Sequence, residues 1–216
     1  MAKKKQYTEG ELVALFKLTR ISERQTVKMA EWLSVGTPEL NIGEQYNFDA
    51  AIQRAKKSIT SWNEEELKMK FISQILPLGH LDDNNHFMTY YEKPLSGEID
   101  GIKLSVKTDF MVAKGVLDFH QNPYFHFHEY KPQGNPTGDP MAQLLSAMLL
   151  AQEKNNNGKP IYGAEIMGQN WKFVVLQGRE YCVSRSYDSI EMISLLEIIA
   201  ILRKFRYILE TELLDL

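Results

Sequence analysis

A carboxylate and an ammonium group stand two residues apart near the middle of the chain, at Glu129 and Lys131. The surrounding segment 124–132 alternates aromatic and polar residues, which is typical of a β-strand. A buried Glu–Lys pair is costly unless its members are paired or used in chemistry. Either a reactive site or a solvent-facing ion pair at the strand end would explain it. Because residues i and i+2 of a strand share one face, one face would carry Phe125, Phe127, Glu129 and Lys131, and the other His126, His128 and Tyr130.

A second carboxylate, Asp109, interrupts a β-rich run at residues 105–113, where aspartate is disfavoured. The next strand along the chain contains Glu129, so we expect the two carboxylates to lie side by side. Two carboxylates at close range repel, and the pKa of one rises unless a cation lies between them. Mg²⁺ prefers oxygen ligands and keeps several waters. Mg²⁺ or Mn²⁺ held by Asp109 and Glu129, with Lys131 to orient or deprotonate a water, would suit phosphodiester hydrolysis.

The elements around these residues are predicted from periodicity and capping signals. Helices are expected from Thr8, where Glu11 completes a capping box, and at residues 22–33, 49–59, 64–76, 139–155 and 188–214. Strands are expected at residues 87–92, 98–106, 108–114, 123–131, 161–167, 171–177 and 180–185. This order predicts a mixed sheet flanked by helices, of the α/β or α+β class. We divide the chain into a helical N-terminal segment, residues 1–62, and a second domain, residues 63–216.

A third carboxylate could reach the site from the helix at residues 64–76. Glu64, Glu65 and Glu66 all lie in its first turn, where the helix dipole favours acidic residues in any case. At 100° per residue, Glu64 lies nearest the centre of the apolar stripe, and Glu65 lies at its edge. Glu66 points away and fits the N3 capping position behind Asn63. Glu64 is therefore the candidate third metal ligand.

Weaker candidates lie in neighbouring elements. Gln143 begins the apolar helix after Lys131, on a turn that could reach the site, with a solvated first-turn residue as the alternative. Asp100 precedes a glycine, and the Asp-Gly pair favours a turn residue over a site residue. His126 and His128 could share a zinc ion from one strand. We expect them instead to form a polar outer face, because no third ligand lies at a telling spacing.

Asp109, followed some twenty residues later by Glu129-Tyr130-Lys131, resembles the Asp…(Glu/Asp)-x-Lys signature of the PD-(D/E)xK nuclease superfamily. The strand contexts agree with it. The helix that follows, with Gln143 near its start, resembles that of many RecB-like and type I restriction nucleases. The helix behind Asn63 resembles the one that opens the nuclease module of type I restriction R subunits. The resemblance covers roughly residues 63–185.

The resemblance implies a restriction-endonuclease-like αβββαβ core, here with an N-terminal helical segment and a long C-terminal helix added. It implies a Mg²⁺- or Mn²⁺-dependent nuclease whose partner is nucleic acid, with DNA as the expected substrate. Asp109, Glu129, Lys131 and Gln143 would be its catalytic residues, and Glu64 would complete the metal ligands. The alternative is a non-catalytic descendant that kept these residues and serves as a binding or assembly module.

The charge distribution restricts how the chain could hold nucleic acid. The net charge is −3; residues 1–62 hold 10 Lys and Arg against 7 Asp and Glu, and the remainder holds 15 against 21. Nucleic-acid binding depends on the neutralisation of phosphates by Lys and Arg. A local patch, bridging metal ions or a partner would have to supply it, and the acidic balance favours the non-catalytic alternative.

Cysteine content and hydropathy indicate a cytoplasmic protein that does not enter a membrane. The single cysteine, Cys182, excludes an intramolecular disulfide. Residues 1–6 carry lysines but no apolar run of the kind a signal peptide has. The most apolar segment, residues 192–202, is too short to span a bilayer. A homodimer or a larger complex is compatible with these features.

Overall fold

A computed structural model describes residues 7–23, 26–83, 86–116, 119–134 and 138–214; the expectation on residues 1–6 lies outside them. A mixed sheet forms its centre, which confirms the α/β class. Its strands are β1 (Thr19–Ile21), β2 (Met88–Ile99), β3 (Ile102–Val116), β4 (Phe119–Lys131), β5 (Ile161–Met167), β6 (Asn170–Gln177), β7 (Glu180–Val183) and β8 (Tyr187–Asp188). They lie in the order β1-β7-β6-β5-β4-β3-β2, and β8 pairs with β6. β4 runs parallel to β5 and β1 parallel to β7, and the other neighbours are antiparallel.

Seven α-helices accompany the sheet in the described part of the chain. They are α1 (Glu9–Phe16), α2 (Val27–Leu33), α3 (Ile42–Ser58), α4 (Glu64–Leu67), α5 (Ser73–Ile75), α6 (Pro140–Asn155) and α7 (Met192–Ile208). A π-helical segment, Lys68–Ile72, joins α4 to α5, and another, Leu209–Leu213, follows α7. None of the described helices combines the length and the apolar character needed to cross a membrane.

The helices cover both faces of the sheet and bury two cores. On the face covered by α6, termed the α6 face, Phe127 and Met148 are buried together with residues of α1. On the opposite face, termed the α7 face, residues of α2, α3 and α7 belong to one buried cluster, in which Trp32 of α2 packs against Tyr162 and Phe205. The Trp32 indole Nε1 donates a hydrogen bond of 2.9 Å to the carbonyl oxygen of Ile201. The middle of β4 is therefore covered on both faces.

The strand expected at residues 98–106 is instead a hairpin of β2 and β3. Asp100 and Gly101 form its turn with φ angles of 50° and 76°. A two-residue turn of type I′ needs positive φ at both central residues, which explains the preference for Asp-Gly. The Asp100 carboxylate pairs with Arg179 at 2.8 Å, so Asp100 is a turn residue.

The element boundaries in the first third of the chain differ from those expected. Residues 19–21 form β1, which adds a parallel edge strand to the sheet beside β7. The second helix begins at Val27, five residues later than predicted from Ser22. The third begins at Ile42 and not at residue 49, because Asn41 and Glu44 form a capping box there. The capping box predicted at the start of α1 is confirmed.

The two predicted faces of β4 are confirmed from residue 126 onward but wrong at Phe125. The register against β3 skips this residue, as in a β-bulge, which moves a side chain to the other face. Phe125 therefore packs in the α7-face core with Tyr130, while Phe127 packs on the α6 face. His126 and His128 are buried on the α7 face, with 0% and 1% exposure. The expectation of a polar outer face was wrong because helices cover this side.

Candidate functional site

The candidate site lies at a fork where β3 and β4 separate. Pairing between the two strands ends at Phe110 and His128. Beyond that point the described residues of β3 pair with β2, and those of β4 pair with β5. The next residues in the antiparallel register are Asp109 and Glu129, and residues opposite each other point to the same face. The register thus brings both carboxylates to the mouth of the fork on the α6 face.

The Asp109 side chain accepts a backbone hydrogen bond from β4 at the point where β3 and β4 separate. Its Oδ2 accepts a hydrogen bond of 2.8 Å from the N–H of Tyr130, where a paired β3 would offer a carbonyl. Its Oδ1 lies 2.7 Å from Nζ of Lys68. Burial raises the pKa of the Asp109 carboxyl although both contacts favour the ionised form. The two contacts fix the orientation of this carboxylate in the fork.

Glu129 and Lys131 form a buried ion pair beside Asp109. The Lys131 Nζ lies 2.8 Å from Oε1 of Glu129, and the two side chains are 7% and 4% exposed. Burial, and then the charge of Asp109, raise the pKa of Glu129 to about 8, against the opposing effect of Lys131. Burial lowers the pKa of Lys131, but the surrounding carboxylates outweigh it and leave that pKa raised. Lys131 therefore stays cationic, and Glu129 is the site carboxyl that takes up a proton most readily.

Of the three adjacent helix glutamates, Glu64 is the one that contacts this pair. Its Oε2 lies 3.3 Å from Nζ of Lys131, and its Oε1 lies 2.8 Å from Nζ of Lys68. These two ammonium groups outweigh its burial and lower the pKa of Glu64. Glu66 occupies the capping box at the start of α4, and Glu65 is exposed. The helix thus delivers one carboxylate to the fork.

Lys68 is a site residue that the sequence analysis missed. Its Nζ lies 2.7–2.8 Å from carboxylate oxygens of Asp109, Glu64 and Glu92. These hydrogen bonds outweigh burial and raise its pKa. The available signal was the spacing of Glu64 and Lys68, four residues apart on a helix. Such pairs are common on solvent-exposed helix faces, so the spacing alone did not point to a site.

Glu92 was missed as well, because its placement depends on the backbone. It lies in β2 between Tyr91 and Lys93, which pair with the β3 residues on either side of Asp109, and has a φ of 54°, in the left-handed region that strands avoid. Its carboxylate contacts the ammonium groups of Lys68 and Lys107. Burial raises the pKa of Glu92, but these two cations outweigh it and lower the value to about 2. No feature of the sequence marks this position.

These contacts join four carboxylates and three ammonium groups into one network, termed the fork network. It comprises Glu64, Glu92, Asp109, Glu129, Lys68, Lys107 and Lys131. When all seven groups are ionised, the network carries one net negative charge.

A metal ion at the fork would find oxygen ligands but not a ready-made cage. Among the described residues, no three His, Cys, Asp or Glu side chains are grouped so as to hold a metal; at the fork, ammonium groups stand between the carboxylates. The donor set nevertheless fits Mg²⁺ or Mn²⁺, which take carboxylate oxygens. Three carboxylates of the fork already contact one cation, the ammonium group of Lys68. Asp109, Glu129 and Glu64 are the residues that could bind the metal.

Gln143 is the predicted site residue that the structure does not join to the fork network. Among the described residues, no hydrogen bond links its side chain to Asp109, Glu129 or Lys131. It lines a cavity of about 280 Å³ beside α6 together with Lys107 and other residues of β3. Lys107 connects this cavity to the fork, because its ammonium group also contacts a carboxylate of the network.

Comparison with known proteins adds no relative to this picture. No protein-family model matches the chain, and no curated protein is significantly similar to it. The resemblance to the PD-(D/E)xK superfamily therefore stays a prediction based on the motif and the order of elements. Function has to be argued from the chemistry of the site.

The α7 face of β4 carries a second, neutral network. Nε2 of His126 lies 2.6 Å from Nε2 of His128, and Nδ1 of His128 lies 2.9 Å from the hydroxyl of Tyr130. Burial lowers the pKa of His126 to about 3 and that of His128 well below its usual value. Both rings are therefore neutral at pH 7. The zinc interpretation gains nothing, since the described residues supply no third metal-binding side chain here.

Proposed function

We propose that this chain is a metal-dependent nuclease that hydrolyses phosphodiester bonds, with DNA as its substrate. The observation that carries the proposal is the fork network, in which four carboxylates meet three ammonium groups. A divalent cation would replace the proton that Glu129 otherwise binds so readily. The resemblance of Asp109 and Glu129-x-Lys131 to the PD-(D/E)xK signature supports the same conclusion.

Each residue of the fork has a role in this proposal. Asp109 and Glu129, with Glu64, would hold Mg²⁺ or Mn²⁺, which would supply a Lewis acid and lower the pKa of a water. The backbone N–H of Tyr130 keeps the Asp109 carboxylate in position. Lys131 has a raised pKa, so it serves as a cation that orients the attacking water and stabilises charge on the phosphate. A role for Lys131 as a general base is less suited to that pKa.

Substrate phosphates outside the fork need further cations because the chain as a whole is acidic. Lys103 and Lys107 are exposed and line the cavity beside α6, and Gln143 adds an amide there. Lys107 also belongs to the fork network, so this lysine joins the cavity to the fork. Phosphates bound along the cavity would be neutralised by these lysines, which is the local patch that the sequence analysis requires.

Cleavage assays with charge-neutralising variants test the proposal. Asp109→Asn keeps an acceptor for the Tyr130 N–H but removes the charge, and Lys131→Met removes the ammonium group at similar size. Both should lower Mn²⁺-dependent cleavage of single- and double-stranded DNA by about 100-fold or more. The matched control is Lys70→Met, because Lys70 pairs with Glu66 outside the fork network. The control should cleave like the wild type, and wild-type cleavage by both site variants would refute the proposal.

The second candidate function is a non-catalytic binding or assembly module. It is favoured by the ammonium partners that Asp109 and Glu129 already have, at 2.7 and 2.8 Å. Thermal unfolding with Mn²⁺ separates the two functions, because a cation that binds only the folded state raises the melting temperature. A rise at millimolar Mn²⁺ that Asp109→Asn abolishes supports the nuclease. No rise in the wild type favours the binding module.

A further inference from the structure

We propose that Lys68 is the resident counter-cation of the fork, and that its ammonium group must leave Asp109 and Glu64 before a divalent cation binds there. The inference rests on the proposed metal site and deepens it, because it assigns the residue that controls cation entry. It gives Lys68 a role that neither the motif nor the sequence pattern assigns.

The first support is the position of the Lys68 ammonium among the proposed ligands. It contacts Asp109 Oδ1 at 2.7 Å and Glu64 Oε1 at 2.8 Å, and its side chain is 15% exposed. A divalent cation on the same oxygens would lie next to a positive charge in a partly buried site, where repulsion is strong. The ammonium and the metal therefore compete for one position.

The second support is that Lys68 has a partner to keep when it moves. Its third contact, Glu92, is 43% exposed, whereas the Asp109 side chain is 10% exposed. Glu92 therefore lies toward the solvent side of the network. Lys68 can retain this contact while it releases the other two, so its charge stays paired in the metal-bound state.

The third support comes from the backbone, which departs from regular geometry at both ends of this contact. Lys68 begins the π-helical segment that interrupts the expected helix, and Glu92 has a left-handed φ within a strand. Both features are energetically unfavourable and occur often at functional sites. Here they bring Lys68 and Glu92 into contact across 24 residues of sequence. Regular α-helical and β geometry would not be expected to make this contact.

Lys131 differs from Lys68 in ways that suit it to stay. Its side chain is 7% exposed, and it also donates to the backbone carbonyl of Tyr130 at 3.0 Å. Its carboxylate partners are Glu129 and Glu64. The network thus contains one fixed ammonium group, Lys131, and one that can be displaced, Lys68.

The experiment measures the Kd for Mn²⁺ by calorimetry, and the melting temperature with and without Mn²⁺, for purified full-length variants. Lys68→Met should lower the metal-free melting temperature, because Asp109 loses its cation, and should tighten the Kd for Mn²⁺ by about tenfold. Millimolar Mn²⁺ should then restore the lost thermal stability. Lys70→Met is the matched control, since Lys70 lies on the same helical segment and pairs with Glu66 outside the fork network. It should change neither the Kd nor the response to Mn²⁺.

A second variant tests the retained contact. Glu92→Gln removes the partner to which Lys68 moves, so it should weaken Mn²⁺ binding by about fivefold, at the lower end of the usual size of such couplings. If Lys68→Met fails to fold, Lys68→Gln replaces it, because the amide keeps a hydrogen-bond donor for Asp109.

The outcomes separate this inference from the proposed function. If the wild type binds Mn²⁺ and Lys68→Met binds it equally or more weakly, Lys68 is not a competitor, and the metal site itself stands. If Lys68→Met binds Mn²⁺ and the wild type does not, the inference is supported and the wild-type chain is not a metal enzyme. If neither binds Mn²⁺ although both are folded, both proposals fail.

Discussion

The two faces of β4 bury polar side chains in opposite ways. On the α6 face, Glu129 and Lys131 belong to a charged network that connects three strands and a helix. On the α7 face, His126 and His128 form a neutral chain that ends on the Tyr130 hydroxyl. The histidines are the more deeply buried of the two sets. Burial of ionisable groups alone therefore does not distinguish a reactive site.

The difference between the faces comes from the pairing of β4. His126 and His128 lie where the strand is paired with β3 on one side and β5 on the other. Glu129 and Lys131 lie where β3 has turned away, and side chains from α4 and β2 reach into the gap. Charged side chains therefore lie in the fork, where the strands have separated, whereas the polar side chains in the closed part of the sheet are neutral. The location of the proposed site thus follows from sheet topology.

The largest predicted effect on stability comes from removing the cation of the buried Glu129–Lys131 pair, and it would sharpen the contrast between the two faces. Lys131→Met leaves the buried Glu129 without its ammonium partner. At pH 9, where Glu129 is ionised in the wild type, the free energy of unfolding in urea should fall by up to about 3–5 kcal/mol. Without Lys131 the pKa of Glu129 rises, and uptake of a proton by the variant recovers part of this loss. The loss should be smaller at pH 6, because the carboxyl with a pKa of about 8 can then take up a proton.

An ion pair between half-exposed side chains outside the fork network provides the control for this stability measurement. Lys70 and Glu66 are 43% and 38% exposed, so Lys70→Met should cost less than about 1 kcal/mol. Equal losses of unfolding free energy for the two lysine variants would mean that the fork network contributes no more to stability than an exposed ion pair. The contrast between the faces would then have no energetic basis.

The next effect is a pH dependence of opposite sign on the two faces. Burial and Asp109 raise the pKa of Glu129 from 4.5 to about 8, so the folded state binds the extra proton. This contribution to stability is complete below pH 4.5 and is lost as the pH rises to 8. Burial lowers the pKa of His126 from 6.5 to about 3. Because the folded state keeps His126 neutral, stability is at its full value above pH 6.5 and is lost as the pH falls toward 3.

Two variants separate these two pH dependences of stability in metal-free buffer. Glu129→Gln should flatten the fall in unfolding free energy between pH 5 and 8, by about 2–3 kcal/mol. His126→Gln keeps a hydrogen-bonding group for His128 and should flatten the fall below pH 6 by a similar amount. Each variant should keep the pH dependence that the other variant loses. If the loss of stability toward pH 8 persists in Glu129→Gln, or the loss below pH 6 persists in His126→Gln, another group is responsible for that titration.

Local patterns in the sequence were sufficient to predict three of the four acids of the fork and one of its three lysines. The pleat of a strand relates Glu129 to Lys131, and the 100° helical spacing singles out Glu64 among three adjacent glutamates. Asp109 stood out as an acid in a β-rich run. The choice of each residue depends on local spacing, and the proximity of Asp109 to Glu129 depends in addition on the pairing of two consecutive strands.

Residues placed by irregular backbone could not be predicted in this way. The contact of Lys68 with Asp109 joins residues 41 positions apart and depends on a π-helical segment. The contact of Lys68 with Glu92 depends on a left-handed residue in a strand. Phe125 changes face because of a bulge in β4. Gln143 lies on a correctly predicted helix, but its distance from the fork depends on how α6 packs on the sheet, which periodicity does not specify.

The smallest predicted effect tests which face of the molecule meets the substrate. Lys103 lines the cavity beside α6 and is exposed. Lys103→Ala should weaken DNA binding by about two- to fivefold and reduce the slope of log K against log salt by about one, as expected for one lost phosphate contact. Lys204→Ala is the control, because Lys204 lies on α7, over the opposite face of the sheet, with its Nζ 4.7 Å from the Tyr207 ring. Fluorescence anisotropy with a labelled DNA in Ca²⁺ buffer measures both slopes, and an equal loss for the two lysines would mean that DNA is attracted by overall charge and not by the α6 face.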